Sequence, residues 1–212
     1  MSSAAKNVDD YVPATPLEKQ IAEAIKGIIS QEGRKTPKMA KIQLQFPKAA
    51  AAFKSMKNAF NKYDADKGGT IDLEEITNAL KDLGDSKLFN AEEVRGLFDI
   101  ADAEHSKSLT FTEFVVFLCL SSLLGHLSDM TDINAAFLCA VDAFDVFDVK
   151  NKGVIVFSEL KDAFSGSDTT PGILMDRMKE LDNDGNGFVT FPEFLVAFMD
   201  WVGIDDDDDE EE

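Results

Sequence analysis

Asp182, Asp184 and Asn186 alternate along the stretch D-N-D-G-N-G-F-V-T-F-P-E, and Glu193 closes it. Numbered from Asp182, side-chain oxygens fall at positions 1, 3 and 5, with a carboxylate at position 12. That set suits a hard cation, above all Ca²⁺, which takes six to eight oxygens at about 2.3–2.6 Å. Phe188 at position 7 has only to offer its backbone carbonyl, and Thr190 at position 9 can act through a water. Gly187 at position 6 allows a sharp turn, because glycine takes a positive φ without steric cost. Val189 at position 8 is apolar and can pair with a second loop. An acidic surface turn would also be rich in Asp and Gly, but it leaves the apolar residues at helical spacing on either side unexplained.

Elements that could position such a loop recur from residue 49 onward. Anchoring on a Glu at position 12 and an apolar residue at position 8 yields four loops, 64–75, 102–113, 148–159 and 182–193. Each is preceded by apolar residues at matching offsets: Met56, Phe60, Tyr63; Val94, Phe98, Ala101; Ala140, Phe144, Phe147; Leu174, Met178, Leu181. These are four helix–loop–helix units of the EF-hand type. Their starts lie 38, 46 and 34 residues apart, so the long middle interval divides two pairs. Gly125 is a candidate break between them. Pairing through position 8 predicts Ile71 opposite Leu109 and Ile155 opposite Val189.

The loops differ in what they offer a cation. In the first, Asp64, Asp66, Asp72 and Glu75 supply carboxylates and Thr70 a carbonyl, while Gly68 leaves position 5 to water. Binding is expected there, weaker than at the last loop. In the second, Asp102, Ser106, Thr110 and Glu113 are compatible, but Glu104 is long for position 3. Lys107 replaces the turn glycine with a Cβ and a positive charge, so metal binding there stays open. In the third, Lys150 and Lys152 would aim two ammonium groups at the ion and Val156 holds position 9. That loop is expected to be metal-free and to serve as partner strand for the fourth. Ca²⁺ is therefore assigned to loops 1 and 4, through Asp64, Asp66, Thr70, Asp72, Glu75, Asp182, Asp184, Asn186, Phe188 and Glu193.

Composition bounds the remaining possibilities. The chain of 212 residues carries a formal charge of −19, with 44% hydrophobic residues and 17 Phe. Such acidity disfavours nucleic acid as a partner. Residues 1–50 hold eight Lys/Arg against five Asp/Glu, whereas 205–212 are all acidic and read as a solvated, disordered tail. Cys119 and Cys139 lie in apolar stretches, so two buried thiols are expected rather than a disulfide. The longest apolar run, Phe114 to Leu120, is too short to span a bilayer, for which about 18–20 residues are needed. No signal peptide or myristoylation signal is visible after the initial Met-Ser-Ser, and a cytoplasmic, intracellular protein is expected. His105 and His126 have no nucleophile at motif spacing, so no enzyme is expected.

The N-terminal region reads as disorder over 1–14, then a helix. Thr15 is a candidate N-cap, Pro16 the first residue and Glu18 the closing member of a capping box. Leu17, Ile21, Ile25, Ile28 and Ile29 make one apolar face, and Gly33 can end it. Packing within the protein is the expected fate of that face, with displacement by calcium or a target; a partner protein and a membrane surface are the alternatives. Over 34–48, Pro37 and Pro47 discourage a helix, and alternating Ile42, Leu44 and Phe46 suggest an extended piece.

The four-loop layout resembles calmodulin and its relatives. The string FTEFVVFLCLSSLL after loop 2, FPEFLVAFMDWVGID before the acidic tail, and F-P-K at residue 46 are similar to one plant calmodulin-like branch. The resemblance covers residues 45–212 and is specific for calcium binding rather than for a target. It implies calcium-binding proteins or sensors. Many relatives begin Met-Gly; this chain begins Met-Ser, so an N-terminal lipid anchor does not carry over.

The expected fold is all-α: an N-terminal extension, 1–47, with one amphipathic helix; an EF-hand pair, 48–125; a second pair, 126–204; and the tail, 205–212. The expected function is a calmodulin-like Ca²⁺ sensor that exposes an apolar groove to a basic amphipathic helix of an unidentified target protein. Phe53, Met56, Met175, Met178, Phe198 and Met199 are candidate liners or simply core. The alternatives are a Ca²⁺ buffer, or a light-chain-like structural subunit.

Overall fold

The computed structural model describes residues 7–31, 38–83, 90–125, 131–163 and 178–204. Gly33, Pro37, His126, Leu174, Met175 and the 205–212 tail lie outside them.

Ten helices and two small sheets follow in order among the described residues. They are α1 (Pro16–Ile29), α2 (Met39–Gln43), α3 (Phe46–Ser55), α4 (Lys57–Tyr63), β1 (Ile71–Asp72), α5 (Leu73–Leu83), α6 (Ala91–Ala101), β2 (Ser108–Leu109), α7 (Phe111–Leu123), α8 (Thr131–Phe147), β3 (Val154–Ile155), α9 (Phe157–Ala163), β4 (Val189–Thr190) and α10 (Phe191–Trp201). A helical turn at 178–181 leads into the fourth loop. The all-α expectation holds. β1 pairs antiparallel with β2, Ile71 opposite Leu109, and β3 with β4, Ile155 opposite Val189. Both registers match the position-8 reading. The strands are two residues each because the loops and helices that flank them leave no more backbone to pair.

The N-terminal region departs from expectation in four ways. Residues 7–14 are ordered: Val8–Asp10 form a 3₁₀ turn, capped by Asn7, whose side chain accepts from the Asp9 N–H while Asp10 accepts from the Asn7 N–H. Val8 is buried. Thr15 caps α1 as read, accepting from the Glu18 N–H at 3.1 Å, but Glu18 returns to the Ala14 N–H at 2.7 Å rather than to Thr15. The helix ends at Ile29, before Gly33. Finally, the expected extended piece is helical. Pro47 occupies the first turn of α3, where its missing N–H costs nothing, and Ile42 is buried in α2 while Leu44 is exposed.

One hydrophobic cluster runs through both loop pairs. At its centre α7 is buried along every residue from Phe111 to Ser121, as a helix apolar on all sides must be. α3 lies along α8, and Phe198 of α10 meets Phe46 and Phe53 edge-on at centroid separations of 5.5 and 6.5 Å. Phe53, Met56, Met178, Phe198 and Met199 are all buried here. They line no open groove; the apolar faces of the two pairs seal each other. Cys119 and Cys139 are free and buried, and burial pushes their thiols up to about 12 and about 11. No described helix is long and apolar enough to cross a membrane.

Candidate metal centres

The four loops share one backbone design. Position 6 has a positive φ throughout: 77° at Gly69, 71° at Lys107, 78° at Gly153 and 86° at Gly187. Position 4 does too, at Lys67, His105, Asn151 and Gly185. In each loop the position-6 N–H donates to the Asp at position 1, at 2.7–2.9 Å. The Glu at position 12 folds back in each: Glu75 accepts from Ala65 and Asp72 N–H, Glu113 from Ala103 and Thr110, Glu159 from Lys150 and Val156, Glu193 from Asn183 and Thr190. The twelve-residue spacing thus encodes geometry even in loops whose side chains differ. Lys107 does not break the turn; it accepts the left-handed conformation that glycine would take without penalty.

Carboxylate oxygens of Asp64, Asp66 and Glu75 lie within 4.8 Å of one another, and so do those of Asp182, Asp184 and Glu193. Two oxygens on one Ca²⁺ at about 2.3–2.6 Å can be no farther apart than about 5 Å, so both sets fit a shared cation. Among the described residues no such cluster forms at loops 2 or 3.

The fourth loop also has a vacant acceptor. In loops 1, 2 and 3 the position-5 N–H donates to the Oδ1 of the first Asp, at 2.9, 2.9 and 2.8 Å. In loop 4 the Asn186 N–H turns to Asp184 Oδ1 instead, at 2.8 Å. Asp182 Oδ1 is left buried without a hydrogen-bond partner. A buried carboxylate oxygen without a donor is costly unless a cation meets it. Burial, first, and the neighbouring Asp184 raise the Asp182 pKa; burial likewise raises that of Glu193, against the bonds from Thr190. The remaining assigned residues are in place with particular roles. Asn186 Oδ1 accepts from the Phe188 N–H, and Phe188 sits immediately before β4. Asp72 stands outside the loop-1 cluster: its Oδ1 caps α5 through the Glu75 N–H at 2.9 Å. Thr70 occupies position 7, directly before β1.

Loop 3 is occupied by protein. Lys152 was expected to aim at an ion; its Nζ instead points outward to Asp9 Oδ1, 2.9 Å away. Asn151 donates to the Ser30 hydroxyl at 2.7 Å, and a Cβ on Gly153 would stand 3.2 Å from the Cβ and carbonyl oxygen of Ala22. Val8 packs with Val154, Val156 and Phe188, and the Tyr11 ring meets Phe188 edge-on at 5.2 Å. Periodicity could not find Val8 or Tyr11, since they belong to no long element. Asn7 and Asp10, three residues apart, were the available signal of a capped turn.

Family models match on both sides: an EF-hand domain pair over residues 53–118 and a single EF hand over 174–199. The "Probable calcium-binding protein CML21" of Arabidopsis thaliana is 36% identical over 94% of this chain and 90% of its own length. "Probable calcium-binding protein CML22" of the same plant is 33% identical over 84% and 83%. Troponin C of Tachypleus tridentatus is 29% identical over 66% of this chain and 88% of its own. Four loops of one backbone design, two of them with clustered carboxylates, agree with these similarities, and the chain belongs to the plant calmodulin-like EF-hand proteins.

Proposed function

We propose that this protein is a calcium sensor without catalytic activity, acting in the cytoplasm by binding a basic amphipathic helix of a target protein. The observation that carries this reading is the loop-4 cluster, in which Asp182 Oδ1 lies buried and unpartnered beside Asp184 and Glu193. Asp182, Asp184, Asn186 and Glu193 would hold the ion with the Phe188 carbonyl. Asp64, Asp66 and Glu75 would do so at loop 1, with Asp72 and the Thr70 carbonyl. Loop 2 lacks the acidic cluster and loop 3 carries two lysines, so neither is assigned a metal. The cation supplies two positive charges where carboxylates crowd one another.

The chain's own lever is Glu193. Both of its oxygens accept bonds from its own loop, including one from the Thr190 hydroxyl at 2.6 Å. It also sits in the first turn of α10, whose Phe198 seals the core against Phe46 and Phe53. A backbone shift that carries Glu193 toward a ligand is therefore a shift of the helix that closes one pair on the other. The adjoining domain boundaries follow the loops, with pair 1 over 48–125 and pair 2 over 126–204.

Calorimetric Ca²⁺ titration with an apolar-dye fluorescence readout tests the proposal. Two sites are expected, lost one at a time in Glu75→Gln and Glu193→Gln, with dye binding rising at saturation. Two sites without a dye response would make the protein a buffer. The absence of binding would leave a structural subunit.

A further inference from the structure

The face made by loop 3 and the outer side of β4 is covered by residues 7–30, and the cover has the features of a built site. Val8 is 2% exposed and shares a separate small cluster with Val154, Val156 and Phe188, apart from the main core. Val154 and Val156 are positions 7 and 9 of loop 3, which in a metal-binding loop supply a backbone carbonyl and a ligand that often acts through water. Lys152, at position 5, pairs with Asp9, and Asn151, at position 4, with Ser30. Ala22 of α1 lies against Gly153, the turn residue. Two departures of loop 3 from a cation site, Lys152 and Val156, are thus matched by contacts to the N-terminal segment. The exposed Asp9–Lys152 pair adds orientation more than strength, because solvent screens it. Apolar burial of Val8, Ile21 and Ile25 holds the segment down.

We propose that loop 3 is a binding site for the chain's own N-terminal segment, and that the docked segment tightens Ca²⁺ binding at loop 4. This rests on loop 4 being a Ca²⁺ site. The link is Phe188. Its carbonyl would be the position-7 ligand of loop 4, and its side chain is packed with Val8 and against Tyr11. A ligand backbone already held in place loses less freedom when the ion binds, so docking raises affinity. Reciprocity requires that Ca²⁺ at loop 4 tighten docking by the same factor. The segment is then a clamp that calcium strengthens, the opposite of a gate that calcium displaces.

The test uses the full chain with Glu75→Gln, which leaves loop 4 as the site titrated. Adding Val8→Asp, or separately Tyr11→Ala, is expected to weaken Ca²⁺ binding about ten-fold, within the usual range of coupling between sites. With Glu193→Gln in place of Glu75→Gln, loop 1 should bind equally well with or without Val8→Asp. Hydrogen exchange at the backbone amides of residues 8–12 should slow about ten-fold when Ca²⁺ saturates the wild-type protein, and not in Glu193→Gln. In Ca²⁺-free buffer the same amides should exchange faster in Val8→Asp than in wild type. Unchanged or tighter loop-4 affinity in both variants overturns the coupling. Unchanged exchange in Ca²⁺-free Val8→Asp overturns the docking site itself. If the Glu75→Gln chain binds no Ca²⁺, the sensor reading fails instead, and the metal-free exchange still decides the docking.

Discussion

Asp182 accepts the Gly187 N–H through Oδ2 at 2.9 Å while its Oδ1, buried, accepts nothing. The corresponding Asp64 uses both oxygens, on Gly68 and Gly69. Asp182 of loop 4 thus has a buried oxygen without a donor where Asp64 of loop 1 has both oxygens bonded. Replacing Asp182 by Asn should remove one Ca²⁺ site from a calorimetric titration and leave the loop-1 site. In chelator, the same change should stabilise the protein against urea, because burial disfavours the charged form that is removed.

Lys107 has φ 71°, in a region that costs an L-residue roughly 1–2 kcal/mol. Lys107→Gly should therefore stabilise the metal-free protein by about 0.5–1 kcal/mol after the greater freedom of glycine in the unfolded chain is subtracted. Thermal unfolding in chelator measures it. A lowered melting temperature would mean that the Lys107 side chain makes compensating contacts.

Burial raises the Asp148 carboxyl from its usual range to about 6, despite bonds from the Lys152 and Gly153 N–H groups. Between its unfolded value near 3.8 and its folded value, the native state holds more protons than the unfolded chain. This group's contribution to stability therefore rises as pH falls from 7 through 6 toward 4. Comparing urea unfolding of wild type and Asp148→Asn isolates it from the other carboxylates. The wild type should gain on the order of 1–3 kcal/mol relative to the variant between pH 7.5 and 4.5. A pH-independent difference would show that Asp148 is solvated in the native state.

Phe198 is fully buried where α10 meets α3. Phe198→Ala should cost about 3–5 kcal/mol. Because one core joins both pairs, urea unfolding in chelator should remain a single transition in wild type and variant alike, at a lower midpoint in the variant. Two separated transitions would show that the pairs fold independently.

Much of this protein is local and was legible in the chain. The loop limits, the position-6 turns, the Thr15 cap and both strand registers follow from oxygen-bearing residues, glycines and apolar residues at set spacings. All but the registers depend on contacts within about a dozen residues, and the registers join distant loops because position 8 recurs in each. The helices at 39–43 and 46–55 were hidden because Pro47 reads as a breaker until its place in a first turn is known. Side-chain type alone also could not say that Asp72 would cap α5 while standing outside the loop-1 cluster.

By itself the sequence determined the number of loops, their pairing and which two gather a cluster of carboxylates, since each is written in consecutive residues. Only the tertiary structure decided what covers the apolar faces. Met56, Phe53 and Phe198 satisfy a helix stripe equally well against a target or against each other, and here they close on each other. Likewise Lys152 and Val156 spoil a metal loop in any fold, but only the return of Val8, Asp9 and Tyr11 turns that loop into a docking surface. The physical reason is that hydrophobic burial is non-directional: composition sets how much apolar surface must be covered, and the path of the chain selects the partner.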